Sequence, residues 1–292
     1  MVLVGTTAAI ISVILWTIAG TINKKISSGL GSHISSFIYL LLGILPVILA
    51  TLIIGVYVIP SFSIITAVIG GVFLGLGLMY GFRALQTENL ASVSALAEIQ
   101  PATLVLFGLL VLGEQITAIQ GIGMIVIFAG TVMIITTEKL EINKVLIPAV
   151  LATLAWSVYW ILMAYSITSA ATFALPILIS RMVGLPIIVG YMLSDKRSVA
   201  KMEGFWGKLK VNRIFMVLIA LTIVAAFADA SGDTLFGITV GSPVLAIGAA
   251  LIALQPMIVS FFGFLLYKEK LTKLQLYGLA IMIVGALILS IF

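Results

Sequence analysis

The chain contains ten runs of apolar residues, most of them separated by short polar segments. A helix needs about 20 largely apolar residues to cross roughly 30 Å of hydrocarbon, so each run is long enough to span a membrane. The pattern predicts helices over residues 3–23, 32–57, 62–83, 88–112, 117–136, 146–168, 171–193, 214–238, 242–267 and 273–291. The one long polar link runs from Asp195 to Arg213. Little of the chain is left for a water-soluble domain.

Composition excludes several other classes of protein. The chain is 62% hydrophobic and 9% charged, whereas soluble domains are about 45–50% apolar and about 25% charged. It has no cysteine, so disulfides, thiolate catalysis and Cys-ligated zinc are excluded. The single histidine, His33, has no neighbouring ligand residue in the sequence, and we predict neither a metal site nor a cofactor.

The basic residues predict the orientation of the helices. Of the 15 Lys and Arg residues, all but Arg181 lie in the links after helices 1, 3, 5, 7 and 9. Because Lys and Arg accumulate in short cytoplasmic loops, these links are predicted to be cytoplasmic and both termini extracytoplasmic. The net charge of +5 therefore reflects membrane topology, and nucleic acid is not an expected partner. We predict a multi-pass protein of the cell membrane.

An internal repeat divides the chain into two halves. Residues 90–130 align without gaps on residues 245–285, which places Gln100-Pro101 on Gln255-Pro256. The same alignment pairs Gly108 with Gly263, Glu114 with Glu269, Thr117 with Thr272, Gln120 with Gln275, Gly123 with Gly278 and Gly130 with Gly285. Near the start of each half, residues 9–17 match residues 149–157 and pair Trp16 with Trp156. The predicted repeats are residues 1–140 and 141–292.

Five crossings per half make the repeat inverted, because an odd number of crossings brings the second half in from the opposite side. Inverted repeats are a recurrent device of secondary transporters, in which exchange of the two halves' conformations moves the access of a central site from one side to the other. The predicted fold is therefore an all-α membrane protein of ten transmembrane helices arranged as two inverted five-helix repeats.

The most specific motif occurs once in each half, as EIQPATLVLFGLLVLGEQIT and ALQPMIVSFFGFLLYKEKLT. Both contain a mid-helix Pro, a Gly within an apolar run, and a Glu at the helix end. This pattern resembles the EamA-type, ten-helix branch of the drug/metabolite transporter superfamily, and the resemblance covers essentially the whole chain. It implies a central cavity lined mainly by helices 1, 3, 4, 6, 8 and 9, and the export or exchange of metabolites.

Four ionisable residues lie well inside predicted spans: Glu98, Arg181, Asp229 and Asp233. A charge near the centre of a membrane helix costs about 2.5–3.5 kcal/mol on insertion scales, so such residues usually face water or a partner. We predict that they form a substrate or proton site. Asp229 and Asp233 share one helix face and resist joint ionisation, so at least one acid is expected to titrate during transport. Arg181 either forms an internal salt bridge or binds a carboxylate of the solute.

Aromatic residues and prolines give further candidates. Helical spacing places Ser12 and Trp16 on one face of helix 1, and Trp156 and Tyr159 on one face of helix 6. These faces form either the wall or gate of a cavity, or ordinary core. Pro101 and Pro256 each remove a helix hydrogen bond; they serve either as hinges or as bends required for packing. Glu114 and Glu269, at helix ends, are predicted to act in capping or loop structure.

The sequence thus favours a secondary transporter that carries a small amino-acid-like metabolite, zwitterionic or cationic, by alternating access, with proton coupling as one form of the mechanism. Its expected partners are the solute, membrane lipid and protons. The alternatives are a passive channel, a facilitator or a scramblase, and an intramembrane aspartyl enzyme. An enzyme is not expected, because aspartyl dyads draw their acids from two helices, whereas Asp229 and Asp233 share one.

Overall fold

The computed structural model describes residues 2–87, 99–135, 146–194, 213–255, 257–259, 262, 265 and 272–291. Within these residues the chain forms ten helices and no strand. The helices are α1 (Val2–Leu30), α2 (Ser32–Ile54), α3 (Ser61–Thr87), α4 (Ile99–Leu110), α5 (Ala118–Ile135), α6 (Leu146–Ala170), α7 (Ala174–Ser194), α8 (Arg213–Val240), α9 (Leu245–Ile252) and α10 (Lys273–Ile291). The predicted all-α membrane fold is confirmed.

Most helix bounds follow the apolar runs, with two larger described differences. The ninth helix, predicted over residues 242–267, ends at Ile252, where a turn follows at Ala253. The other difference is at the end of α1. The sequence predicts an end near residue 23, but α1 continues to Leu30. Gly31 then ends the helix: its φ of 85° lies in the region that favours glycine, and its N–H donates to the Ser27 carbonyl. Because of the extra turns, Asn23 and Ser27 lie within α1 and not in a link that follows it.

The outer surface of the helices is apolar. Leu45, Leu49, Leu52 and Ile53 of α2 are exposed over 53%, 58%, 59% and 76% of their surface, a patch that is unfavourable in water but suited to lipid. Six helices are long and apolar enough to cross a membrane: α1, α2, α3, α6, α7 and α8. The described parts of α4, α5, α9 and α10 are shorter apolar helices. The chain is therefore a multi-pass membrane protein.

Related contacts occur in both sequence halves. The indole of Trp16 in α1 packs against Gly232 of α8, where an added Cβ would meet it at 2.8 Å. The indole of Trp156 in α6 packs against Gly77 and Gly81 of α3, where an added Cβ would meet it at 2.6 Å. Trp16 and Trp156 correspond in the repeat, as do Gly77 and Gly232. The boundary between the predicted halves, at residues 140 and 141, lies outside the described residues.

The helix ends of the two halves also match. The Gln120 side chain accepts a hydrogen bond from the Thr117 N–H at 2.9 Å, and the Thr117 hydroxyl accepts one from the Gln120 N–H at 3.2 Å. Thr272 and Gln275 make the same reciprocal pair at 2.8 and 3.2 Å. Each pair is a capping box that satisfies two helix N–H groups. The aligned residues therefore cap equivalent helices in the two halves.

Candidate functional site

A cavity of about 150 Å³ lies among the central helices. It is lined from α1, α2, α3, α4, α6, α8 and the end of α9 by Trp16, Gly20, Asn23, Tyr39, Leu74, Leu78, Gly81, Phe82, Leu85, Gln100, Pro101, Trp156, Tyr159, Trp160, Asp229, Asp233, Ile252 and Gln255. These helices include the six that the family resemblance implies, and α2 adds Tyr39. Most of the wall is aromatic or aliphatic, with a few convergent polar groups.

One guanidinium joins two carboxylates at the cavity wall. Nη2 of Arg181 lies 2.7 Å from Oδ2 of Asp229 and 2.6 Å from Oδ2 of Asp233. The Arg181 side chain is fully buried, whereas 7% of the Asp233 side chain and 19% of the Asp229 side chain are exposed. With both acids ionised, one positive and two negative charges leave a formal charge of −1. Both acids line the cavity, and Asp229 is the more exposed of the two.

Arg181 uses only part of its hydrogen-bonding capacity. Its Nε and Nη1 atoms are buried and have no hydrogen-bond partner. Nη1 lies against Gly43 of α2, where any added Cβ would collide with it. Gly43 therefore makes the room that admits the guanidinium between α2, α7 and α8. A guanidinium can bind a carboxylate through two nitrogens. Because both acids bind the same nitrogen, Nη2, Arg181 has nitrogens left for a second hydrogen bond to either acid.

Aromatic rings surround the acids. Nε1 of Trp16 donates a hydrogen bond to Oδ1 of Asp233 at 3.0 Å. The ring of Trp16 lies 5.9 Å from that of Trp160 and 5.3 Å from that of Phe236, and Trp160 and Phe236 meet edge to face at 4.7 Å. Tyr159 completes the cluster at 5.0 Å from Trp160. Indole faces attract cations within about 6 Å of the ring centre. A cation near the two carboxylates would therefore also be attracted by these rings.

A second polar pair lies beyond Asp229. Tyr39 of α2 is 1% exposed, and its hydroxyl group interacts with the side chains of both Asn23 and Asp229. Asn23 is 7% exposed, and its Oδ1 atom has no hydrogen-bond partner. The cavity therefore contains an acceptor that the protein itself leaves unsatisfied.

The structure brings most of the sequence-predicted residues to one place. Asp229, Asp233, Trp16, Trp156, Tyr159 and Pro101 line the cavity. Arg181 binds both aspartates but does not itself line the cavity. Ser12 is fully buried and donates to the Ala8 carbonyl at 2.8 Å, away from the cavity lining. Glu98 and Pro256 lie outside the described residues, so their predicted roles stay predictions.

The lining residues that were not among the sequence-predicted site residues include Asn23, Tyr39 and Trp160. Asn23 stands seven residues after Trp16 and so shares its helix face, but the predicted end of helix 1 at this position suggested a membrane boundary. Tyr39 and Trp160 carried no comparable signal, since aromatic residues are common near membrane interfaces.

One end of α9 is held by a carboxylate from the first half of the chain. Glu114, which follows α4, accepts hydrogen bonds from the backbone N–H groups of Leu245 at 2.8 Å and Ala246 at 2.7 Å. The Thr239 hydroxyl donates to the Gly5 carbonyl at 2.7 Å on the same side. These bonds join the predicted halves at the end of the molecule away from Asn23 and Leu85. Among the described residues no group of three His, Asp or Glu side chains could hold a metal ion.

Comparison with known proteins finds a family match in the first part of the chain. Residues 3–136 match the EamA-like transporter family. The sequence matches no curated protein. The fold is similar to that of a protein of known crystal structure, with a TM-score of 0.67 over 97% of this chain and 95% of the other. The two sequences are 16% identical, so this similarity concerns the fold alone.

Proposed function

Because residues 3–136 match the EamA-like transporter family, we propose that the chain carries a small amine-bearing solute across the membrane by alternating access. The family match supports a membrane transporter of the drug/metabolite type. The solute, the mechanism and the coupling are inferred here from the cavity. The carrying observation is the cluster of Arg181, Asp229 and Asp233, whose excess negative charge faces an aromatic cavity.

The lining favours a positively charged solute. Asp229 is the more exposed of the two acids, and Trp16, Trp156 and Trp160 form nearby walls. Among the described lining residues none is Lys, Arg or His. An ammonium group therefore finds a carboxylate and indole faces, whereas the carboxylate of an amino acid finds no cation in the described lining. A cationic amine is preferred over a zwitterion, and a neutral sugar is disfavoured.

Alternating access is supported by the asymmetry of the cavity. Asn23 and Leu85 lie towards the ends of α1 and α3 that lead into basic links, which the charge distribution predicts to be cytoplasmic. At the opposite end Glu114 caps α9 across the two halves. The conformation thus has its cavity on the predicted cytoplasmic side. Opening of the other side requires loss of the Glu114 bonds while the repeats exchange conformations.

Proton coupling follows from competition for one carboxylate. Asp229 and Asp233 share Nη2 of Arg181, so one guanidinium nitrogen serves two acids. A proton and a solute ammonium both bind best to the carboxylate that Arg181 holds least. Binding of one ligand therefore disfavours binding of the other at the same acid, and a difference in hydration between the two conformations couples their movements.

Reconstitution into liposomes tests the proposal. A preloaded amine should drive counterflow of a labelled amine that saturates with concentration, and excess neutral sugar should not compete. Linear, non-saturating flux would indicate a channel instead. Lipid exchange between leaflets without amine counterflow would indicate a scramblase, and cleavage of a membrane peptide an enzyme. In the structure Asp229 and Asp233 both lie on α8 and both bind Arg181, which gives no support to an aspartyl dyad.

The coupling is tested separately with an imposed pH gradient. Wild-type uptake should respond to the gradient, and Asp229→Asn should remove the response because the shared carboxylate is lost. Asp233→Asn leaves Asp229 in place and should retain part of it; Glu98→Gln tests the third acid. If uptake by the wild type ignores the gradient, or if all three variants behave like the wild type, the protein is a facilitator or an exchanger.

A further inference from the structure

The Asn23 amide oxygen is an unsatisfied acceptor in the wall of the cavity. Asn23 is 7% exposed, and Oδ1 has no hydrogen-bond partner. Leaving a buried polar atom unpaired is unfavourable, and such atoms in folded proteins call for a missing partner. Oδ1 itself has almost no accessible surface, but Asn23 lines the cavity, so a small rotation of its side chain lets a bound molecule supply that partner.

The neighbouring hydroxyl group determines which end of the amide is free. The Tyr39 hydroxyl interacts with both Asp229 and Asn23. A carboxylate can only accept, so the hydroxyl proton is directed to Asp229 and the hydroxyl oxygen is left to accept from the Asn23 amide nitrogen. The amide oxygen then remains for the cavity, and it can bind only an N–H or O–H donor.

The distance between the two polar positions follows from the packing of α1 on α8. Trp16 bonds to Asp233 and Gly29 packs against Leu218, so the two helices run antiparallel. Asp229 lies four residues from Asp233 on α8, about 6 Å along the axis, and Asn23 lies seven residues from Trp16 on α1, about 10 Å along the axis. The two polar positions are thus separated by about 4–5 Å along the cavity, which is close to one helical turn.

The surface between them is open. Gly20 of α1 lines the cavity between the levels of Trp16 and Asn23, and a Cβ added there would meet no atom within 4 Å. A short carbon chain can therefore lie over Gly20 with one end at Asp229 and the other at Asn23.

We propose that Asn23 forms a second subsite that selects a small cation carrying a hydrogen-bond donor a few bonds from its ammonium group, as in a short amino alcohol or diamine. This inference rests on the proposed binding of an amine at Asp229 and adds the chemistry of the solute's other end. The ammonium pairs with Asp229, the chain crosses Gly20, and the distal O–H or N–H donates to Oδ1 of Asn23.

Three probes that share an aminopropyl chain and differ in its end group test the subsite on the purified full-length protein: aminopropanol with its hydroxyl on the terminal carbon, butylamine, and methoxypropylamine. Dissociation constants are measured by quenching of tryptophan fluorescence. Aminopropanol should bind about tenfold more tightly than methoxypropylamine, the effect of one buried hydrogen bond. Asn23→Leu should remove that preference, so that aminopropanol and methoxypropylamine bind the variant with equal affinity. Asn23→Asp, which keeps an acceptor oxygen, should retain it.

The outcomes separate this inference from the proposed function. If the wild type binds none of the three amines, the proposed function fails and the subsite with it. If it binds all three with equal affinity, the cation site stands and the Asn23 subsite is wrong. The comparison of hydroxyl with methoxy ligand on the wild type needs no variant, so a folding defect of Asn23→Leu does not leave the question open.

Discussion

Trp16 and Asp233 are joined across α1 and α8 by a hydrogen bond of 3.0 Å from the indole Nε1 to the carboxylate Oδ1. The bond fixes one oxygen of Asp233 while the other binds Arg181. Each acid thus has two donors, since Asp229 is held by Arg181 and by the Tyr39 hydroxyl. Asp229 is the more exposed of the two acids, which supports the proposed binding of the solute at Asp229 rather than at Asp233.

Replacement of Trp16 by Phe keeps an aromatic ring and removes the donor. We expect a loss of stability of about 1.5–3 kcal/mol, the range for hydrogen bonds to charged groups. A double-mutant cycle of Trp16→Phe with Asp233→Asn, followed by unfolding in mixed detergent, measures the pair itself. A coupling near zero would show that the indole contributes by packing alone.

Removal of the guanidinium leaves two buried acids without a counter-ion. Arg181→Met should therefore destabilise the protein by about 3–5 kcal/mol, as for other broken buried ion pairs. Combining it with Asp233→Asn restores the formal charge of −1 and should recover much of the stability. In the double variant no guanidinium competes with the amine for Asp229, so amines should bind the double variant more tightly than they bind the wild type. Weaker amine binding by a stable double variant would contradict the competition for Asp229.

The cap on α9 predicts a different kind of effect. Glu114→Gln keeps one acceptor oxygen but turns an amide NH₂ towards a backbone N–H, and we expect a loss of about 1–3 kcal/mol. Because the cap closes the predicted extracytoplasmic side, the variant should also expose the cavity lining more to an impermeant reagent added outside. Gln115→Ala, at the neighbouring exposed position, serves as the control. Unchanged labelling would limit Glu114 to stability.

Glycines beside Trp156 give a steric test with a matched control. An added Cβ at Gly77 would lie 2.6 Å from the indole, whereas one at Gly20 would meet nothing within 4 Å. Gly77→Ala should displace the ring from the cavity wall, destabilise the protein by about 1–3 kcal/mol and lower amine affinity. Gly20→Ala should leave stability unchanged. Equal stability of the two variants would mean that Trp156 is free to move.

The ten helices were predictable because lipid imposes a minimum apolar length on every span. The acids and Arg181 were also visible, because an intramembrane charge is costly and stands out in an apolar run. Their pairing was only one of two interpretations, since it depends on how α7 meets α8. Asn23 and Tyr39 were missed for a related reason: polar and aromatic residues near a predicted helix end suggest an interface.

The role of Glu114 could be predicted from the sequence, but its partner could not. Its place at a helix end predicted a role in capping or loop structure, and it does cap a helix. The helix, however, is α9 in the other half of the chain, 131 residues away from Glu114 at Leu245. No local pattern identifies that partner, because the contact depends on how the two halves are packed together.

The salt bridges of Arg181 also constrain the order in which the chain can enter the membrane. Arg181 is synthesised 48 residues before Asp229 and 52 residues before Asp233, which corresponds to roughly 2–10 s at about 5–20 residues per second. During that interval α7 carries an unneutralised charge whose insertion costs about 2.5–3.5 kcal/mol. We therefore expect stable burial of α7 to wait for α8, so that the two helices leave the insertion machinery as a pair. The residues that we propose to bind the solute would then also set a step in the insertion of the chain into the membrane.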